Sequence, residues 1–222
     1  MKKTQKLTVS GILIAMAVIL SFIKVFELPF GGSITLFSMT PIMLAGFMYG
    51  VPWGLLCGVV DGVLQGILGA ATTQAFAGLD ALKVIGVICL DYLLAFSVLG
   101  CAGLFRKSLQ NKPTLAIALG ALVAGLLRFL VHTTSGAIIY GEWAEWFFTQ
   151  DGFYSWGATI LDRFSGAGLA IVYSVIYNAF YMIPETILSV IAVIALIQVK
   201  PLRKFAMNNM AKSESAQKAD QV

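Results

Sequence analysis

The feature that most constrains this chain is a succession of long apolar runs that covers most of its 222 residues. Hydrophobic residues make up 59% of the chain and charged residues 12%, whereas soluble domains usually carry about 25% charged residues. A helix that crosses lipid needs roughly 20 apolar residues. The runs are continuous rather than alternating, which argues against a transmembrane β-barrel. The sequence therefore predicts an all-α integral membrane protein.

Proline, glycine and polar loops divide the apolar runs into six predicted membrane helices. Their expected bounds are 7–26, 39–49, 53–68, 79–105, 114–140 and 166–199. Six spans place both termini on one side of the membrane. Because the basic residues near the N-terminus, in 106–112 and in 200–204 fall on that side, it is expected to be the cytoplasm. We divide the chain into a membrane domain, residues 1–199, and a polar, frayed cytoplasmic tail, residues 200–222.

The remaining composition excludes several classes of site. The net charge of +4 follows from the cytoplasmic basic clusters and does not indicate nucleic-acid binding. Cys57, Cys89 and Cys101 lie in apolar runs without metal-type spacing, so we interpret them as packing residues. A single histidine excludes a multi-histidine metal site. The first apolar run is too long for a typical signal-peptide core, which favours a membrane helix.

Small residues recur on two of the predicted helices. Helix 3 has glycine at every fourth position, which allows a second helix to approach one face closely. We interpret this stripe, Gly54, Gly58, Gly62 and Gly66, as packing inside the bundle. Helix 1 carries a shorter set, Gly11, Ala15 and Ala17. That set fits either internal packing or an external partner helix.

Polar side chains are rare within the apolar runs, and their cost in lipid means that each requires a partner or a function. They are Asp61, Gln65, Asp91, Arg128, His132, Asn178 and Glu185, with tyrosines at 92, 173, 177 and 181. Asp61 and Arg128 both fall near mid-helix, where they could form a structural ion pair. Each of the other residues could simply fasten two helices by a hydrogen bond.

Depth distinguishes three of these residues. At 1.5 Å per residue, His132 lies roughly 12 Å below the outer end of its helix, and Asp91 and Asn178 lie roughly 18 Å below theirs. This convergence predicts a polar site that is reached from outside. An acid among aromatic rings suits an organic cation, through Coulomb and cation–π attraction. The aromatic segment 141–165 is either an interfacial belt or a lid over this site.

Catalysis has little support in the sequence. There is no G-x-S-x-G nucleophile elbow and no phosphate-binding P-loop, so the chain cannot hydrolyse ATP by itself. The two halves also show no obvious repeat of the kind that many secondary transporters contain. We therefore expect a binding protein and no enzyme.

Four segments, in order along nearly the whole chain, resemble the thiamine-specific S components (ThiT/YuaJ family) of energy-coupling factor (ECF) transporters. They are Gly31–Pro41 (GGSITLFSMTP), Leu90–Phe96 (LDYLLAF), Arg128–His132 (RFLVH) with Ser135-Gly136, and Tyr177-Asn178 with Tyr181–Glu185 (YMIPE). The resemblance implies a six-helix protein in the bacterial cell membrane that binds thiamine from outside. It also implies that a shared ECF membrane subunit and two ATPase subunits supply the energy.

The resemblance further implies individual roles. Asp91, followed by Tyr92, matches the acid for the thiazolium, and it is shorter than the glutamate often found there. The remaining implied pocket residues are His132, Tyr173, Asn178 and an aromatic stacking residue at Tyr140 or Trp143. Gly11, Ala15 and Ala17 of helix 1 correspond to the face that docks on the shared subunit. No cofactor besides the ligand thiamine is implied.

Two rivals stay open at this point. The same architecture hosts other vitamins, because function lives in the site and not in the fold. A stand-alone carrier or an intramembrane enzyme is the more distant rival.

Overall fold

The computed structural model describes residues 3–28, 32–72, 76–150, 152 and 154–219. Positions 29–31, which include part of the first quoted motif, and positions 151 and 153 of the aromatic segment lie outside these ranges. Helices make up most of the described chain, accompanied by an antiparallel hairpin. The elements are α1 (Lys3–Ser21), β1 (Lys24–Glu27), β2 (Ser33–Thr35), α2 (Thr40–Tyr49), α3 (Val51–Thr72), α4 (Ala81–Gly103), α5 (Pro113–Ile139), a 3₁₀ turn (Gly141–Trp143), α6 (Ala144–Phe148), α7 (Tyr154–Arg163), α8 (Gly166–Gln198) and α9 (Lys200–Ala219).

Five of these helices, α1, α3, α4, α5 and α8, are long and apolar enough to cross a membrane. The remaining predicted helix, the second in chain order, corresponds to α2, which has 10 residues, nine of them buried. At 1.5 Å per residue α2 is about 15 Å long, roughly half the hydrocarbon thickness. A short apolar helix of this kind is stable because the surrounding helices enclose it.

The first predicted helix was placed too far along the chain. It ends at Ser21 rather than at residue 26, and Lys24–Glu27 form β1 instead. β1 pairs with β2, with Phe26 opposite Ile34 and Glu27 opposite Ser33. The pairing satisfies backbone groups that a longer helix would have satisfied internally.

The predicted frayed tail is also different in the structure. Residues 200–219 form α9, which packs against α2 and α8 and buries Ala206. The tail is rich in Ala, Lys, Met and Gln, which are good helix formers, and Pro201 stands in its first turn, where proline is tolerated.

The glycine stripe of α3 does pack inside the bundle, as predicted. A Cβ added at Gly54, Gly58 or Gly62 would collide with the backbone of α4. This close approach fixes the height of α4 against α3. It therefore also fixes the level at which the polar residues of α4 face the centre of the protein.

Helix α1 lies at the edge of the bundle and buries Ser10, Leu13 and Ala17. It is tied to α3 where the Nε1–H of Trp53 donates to Oγ of Ser10 at 2.8 Å. The ammonium of Lys6 lies 3.7 Å from the centre of the Trp53 ring, a cation–π contact. Most of the remaining surface of α1 is apolar and faces outward.

Candidate functional site

A cavity of about 180 Å³ lies inside the bundle at the end that carries the hairpin. Its walls come from the last turns of α3, the first half of α4, the second half of α5, the middle of α8 and the hairpin. The side chains that converge there are mostly tyrosines and the intramembrane polar residues. The cavity therefore combines apolar walls with a few directional polar groups, as small-molecule sites generally do.

Asp91 is presented to this cavity by an unusual turn of α4. Residues Ile88–Leu94 form a π-helix within the otherwise tighter helix, and such wide turns often occur at functional sites. Oδ1 of Asp91 lies 2.7 Å from Nδ1 of His132, and Oδ2 accepts a hydrogen bond of 2.5 Å from the Ser135 hydroxyl. The Asp91 side chain remains 17% exposed. The carboxylate is thus held in place by α5 while part of it stays accessible.

His132 lies between Asp91 and Arg128. Its Nε2 accepts a hydrogen bond of 3.2 Å from Nε–H of Arg128, one helical turn earlier on α5. The guanidinium of Arg128 also lies 4.1 Å from the centre of the Phe96 ring, a cation–π contact across to α4. Both imidazole nitrogens therefore have partners within the protein.

Asn178 fastens α8 to α5 beside the same cavity. Its Nδ2 donates to the Ser174 carbonyl at 2.8 Å and to the His132 carbonyl at 3.3 Å. Its Oδ1 accepts from the Tyr181 hydroxyl at 2.7 Å. A Cβ at Gly136 would lie 3.2 Å from Nδ2 of Asn178, so glycine at this position keeps the two helices close.

Tyrosines form the aromatic side of the cavity. Tyr173 and Tyr177 are buried, and their ring centres lie 5.7 Å apart. Phe147 of α6 packs behind both of them, at 5.2 Å and 5.9 Å. Tyr140, just after the end of α5, also lines this side of the cavity.

A second polar cluster joins the hairpin segment to α8. The buried Glu185 carboxylate accepts hydrogen bonds from the hydroxyls of Thr35 and Ser38, the latter at 3.2 Å. The backbone N–H of Gly32 donates to the Tyr177 hydroxyl at 3.2 Å. The hairpin, together with Ser38 just after it, thus reaches into the bundle and contributes to the cavity wall.

Six of the seven predicted ligand-binding residues line this cavity: Asp91, Tyr92, His132, Tyr140, Tyr173 and Asn178. Trp143 is the exception, because it lies in the 3₁₀ turn beyond the cavity and packs edge-on against Trp146 at 6.5 Å. None of the described residues of 141–165 lines the cavity, although Phe147 packs behind two of its tyrosines. Lys24, Gly32 and Ser33 of the hairpin region border the cavity directly.

The predicted docking residues of α1 separate into two groups. Gly11 and Ala15 are exposed, and nothing lies within 4 Å of a Cβ placed at Gly11. Ala17 is completely buried within the chain's own core. Assigning Ala17 to a docking face was therefore wrong, since it points into the bundle.

The predicted ion pair between Asp61 and Arg128 does not form in the structure. Within the described chain, no contact of 4.0 Å or less joins their charged atoms, although Asp61 is buried and electrostatically coupled to Arg128. Oδ1 of Asp61 and Nη1 of Arg128 are buried without a hydrogen-bond partner. No group of three metal-ligating side chains occurs among the residues that the structure describes.

The sequence did not single out several residues of the cavity wall. The sequence pattern assigns no individual role to Thr35 and Ser38 of the first motif, and it suggests Asp61 rather than His132 as the partner of Arg128. A signal for Thr35 and Ser38 is their position just before Pro41 at the start of a fully apolar helix, where a polar side chain needs a buried partner.

Comparisons with known proteins show which proteins this chain resembles. A family model described as "Thiamine transporter protein (Thia_YuaJ)" matches residues 7–155. A protein named thiamine transporter ThiT from Bacillus subtilis (strain 168) is 29% identical over 210 residues, which cover 90% of this chain and 94% of that protein. A solved structure of ThiT from Listeria monocytogenes matches with a TM-score of 0.67 at 22% identity, over 93% of this chain and 99% of that one. The structural likeness establishes a shared fold.

Proposed function

The chain belongs to the thiamine transporter protein family Thia_YuaJ, and we propose that it captures thiamine as the substrate-binding (S) subunit of an ECF transporter. It is a multi-pass protein of the bacterial cell membrane, in keeping with its five long apolar helices. The observation that carries the proposal is the cavity in which Asp91 is held among tyrosines. That arrangement suits a cationic heteroaromatic ligand.

We propose six membrane crossings with both termini in the cytoplasm. The second crossing would consist of the partly buried segment 33–39 followed by α2, because non-helical backbone is tolerated at membrane depth when protein surrounds it. The positive charges of α1, of the loop before α5 and of α9 support this orientation. In this arrangement the cavity opens outward, residues 1–199 form the substrate-binding domain and 200–222 the cytoplasmic tail.

Within the cavity, Asp91 is the proposed partner of the thiazolium cation. A carboxylate offers roughly four acceptor positions, and His132 and Ser135 occupy two of them. Tyr92, Tyr140 and Tyr173 are the proposed aromatic contacts for the two rings of thiamine. His132 and Asn178 complete the polar wall, while Trp143 would act only at the mouth.

The proposed energy source is external to this chain. The sequence has no P-loop, so the ATPase activity is assigned to two partner subunits that act through a shared membrane subunit. The outward face of α1 around Gly11 and Ala15 is the proposed docking surface, because small residues let another helix approach closely.

We further propose that the ligand is bound and released without chemical change. The matching family is a transporter family and not an enzyme family. The rival in which the same fold carries a different vitamin is less favoured, because both the family model and the curated relative are described as thiamine transporters.

One purification tests the proposal. The protein is isolated in detergent from cells grown with thiamine, bound small molecules are identified by mass spectrometry, and tryptophan fluorescence is titrated with a panel of vitamins. We expect retained, chemically unchanged thiamine and saturable quenching by thiamine alone. Quenching by another vitamin at lower concentration would favour the rival ligand, and turnover of thiamine would favour an enzyme.

A further inference from the structure

Three polar side chains form a directed chain of hydrogen bonds at the centre of the protein. Nε–H of Arg128 donates to Nε2 of His132, and Nδ1 of His132 lies 2.7 Å from Oδ1 of Asp91. The Ser135 hydroxyl donates to the other Asp91 oxygen. Arg128 and His132 are buried, so water competes little for the bond between them, whereas Asp91 stays 17% exposed toward the cavity.

The direction of the first bond determines the state of the histidine. Arginine is a donor only and stays protonated in proteins. Its Nε–H can therefore bond to Nε2 of His132 only if that nitrogen carries no hydrogen. Because a neutral imidazole has one N–H, the hydrogen must be on Nδ1, from which it points at Asp91.

We propose that Arg128 is a positioning residue that fixes His132 in its neutral Nδ1–H form, so that Asp91 keeps its negative charge for the ligand. A doubly protonated ring would bring an N–H of His132 against the N–H of Arg128 and would place a cation next to Asp91. That second cation would cancel the charge that attracts a cationic ligand.

The other charged and titratable groups around His132 are consistent with this role. Glu185 and Tyr181 of α8 approach from the far side, with the Tyr181 ring 6.1 Å from the imidazole. Asp61 of α3 and Glu185 both interact with the charge of Arg128. Neither carboxylate lies within 4.0 Å of the guanidinium in the described chain, and Glu185 is bonded to Thr35 and Ser38 instead. Asp91 is the acid that contacts the imidazole directly.

The chain allows an unusually clean test because it contains a single histidine. Protein labelled with ¹⁵N-histidine and purified through a histidine-free tag gives the imidazole signals of His132 alone. We expect one N–H, at Nδ1, and an unprotonated Nε2 at pH 7. A proton on Nε2 of the native protein would overturn the proposal, and this measurement needs neither a variant nor a ligand.

Two matched variants then separate the hydrogen bond from the charge. The Nε2 of glutamine occupies the position of the arginine Nε along the side chain, so R128Q retains a donor without the charge. R128M fills similar space without a donor. We expect Nε2 of His132 to stay unprotonated in R128Q and to carry a proton in a measurable fraction of R128M. The outward-facing L130A is the control for handling in detergent and should match the native protein.

The same tautomer in R128M as in the native protein would mean that Arg128 does not control it. A change in both variants would mean that charge, and not the donated hydrogen bond, is responsible, which also overturns the proposal.

A binding measurement extends the test and rests on the proposed function. The native protein and R128Q should prefer thiamine over a neutral analogue with carbon in place of the ring cation. In R128M this preference should fall about tenfold or more. If neither molecule binds the native protein, the proposed function fails while the tautomer assignment stands on the NMR result.

Discussion

At the scale of single residues, the cavity combines two kinds of polar side chain. Asn178 has both its amide nitrogen and its oxygen engaged, by the His132 carbonyl of α5 and by Ser174 and Tyr181 of its own helix. Asp91 has unused acceptor positions and is partly exposed. Its unused hydrogen-bonding capacity, rather than its depth, marks Asp91 as the polar group best able to contact a ligand.

The first prediction is that Asp91→Asn weakens thiamine binding by about 1–3 kcal/mol, the usual range for a charge-assisted contact, or roughly 5- to 150-fold. Asparagine also puts an NH₂ group in place of one of the two oxygens that His132 and Ser135 contact, which disturbs the site further. Fluorescence titration measures the change. Asp162→Asn, the same substitution at an exposed acid outside the cavity, is the control and should bind normally. Equal affinities for both variants would contradict the role of Asp91.

At the scale of elements, two contacts set the shape of the cavity. Helix α3 packs closely against α4 through its glycine face. Glu185 of α8 accepts hydrogen bonds from Thr35 at the end of the hairpin and from Ser38 just after it. The first contact positions the π-helical turn with Asp91 and Tyr92. The second positions Gly32, Thr35 and Ser38 on the opposite side.

Gly58→Ala is predicted to destabilise the protein by about 1–3 kcal/mol, because the added methyl group would meet the backbone of α4 at Phe96 and Ser97. Thermal unfolding in detergent should show a lower midpoint, together with weaker thiamine binding. Gly11→Ala adds the same methyl group where nothing lies within 4 Å, and it should leave both properties unchanged. A normal midpoint for Gly58→Ala would show that the two helices can separate at little cost.

Thr35→Val is predicted to cost about 1–3 kcal/mol in stability, since it leaves one donor fewer for the buried Glu185 carboxylate. Valine is close to threonine in shape, so the loss reports the hydroxyl and not the packing. Hydrogen exchange of the hairpin backbone should speed up in this variant. Thr134→Val is the matched control, because the Thr134 hydroxyl only bonds to a carbonyl of its own helix at an exposed position. Unchanged exchange after Thr35→Val would mean that Glu185 does not anchor the hairpin.

At the scale of the whole molecule, α1 differs from the other long helices. Only 11% of the residues in its apolar 18-residue stretch are buried, compared with 44% in the corresponding stretch of α8. It is held at the bundle edge by Trp53, Ser10 and Lys6, and its outward face has small residues beside large apolar ones. Such a face can be covered by lipid or by another membrane helix.

The last prediction uses two alanines of α1. Ala15→Trp should leave thiamine binding intact and block assembly with the energising subunits, because Ala15 is exposed on the proposed docking face. Ala17→Trp should impair folding and binding together, because Ala17 is completely buried. Pull-down with the partner subunits, paired with a titration, distinguishes the two. Full assembly of Ala15→Trp would place this residue against lipid.

Much of this protein follows from its sequence because lipid imposes strict rules on a chain. Backbone groups in hydrocarbon must be paired within helices, so the apolar runs predicted α3, α4, α5 and α8 to within a few residues. Polar side chains are scarce in the same runs, and this scarcity pointed to Asp91, His132 and Asn178. A polar group in lipid is energetically costly unless a partner or a function compensates for it.

Tertiary structure alone decided what those polar groups contact. A spacing of four residues places Arg128 and His132 on one face of a helix, but only the structure shows that Arg128 bonds to His132 rather than to Asp61. Likewise, Ala15 and Ala17 are equally small, and only the packing of α1 shows that one is exposed and the other buried. Hydrophobicity determines which segments enter the membrane, whereas partner choice depends on how helices rotate and approach, which is a property of three-dimensional packing.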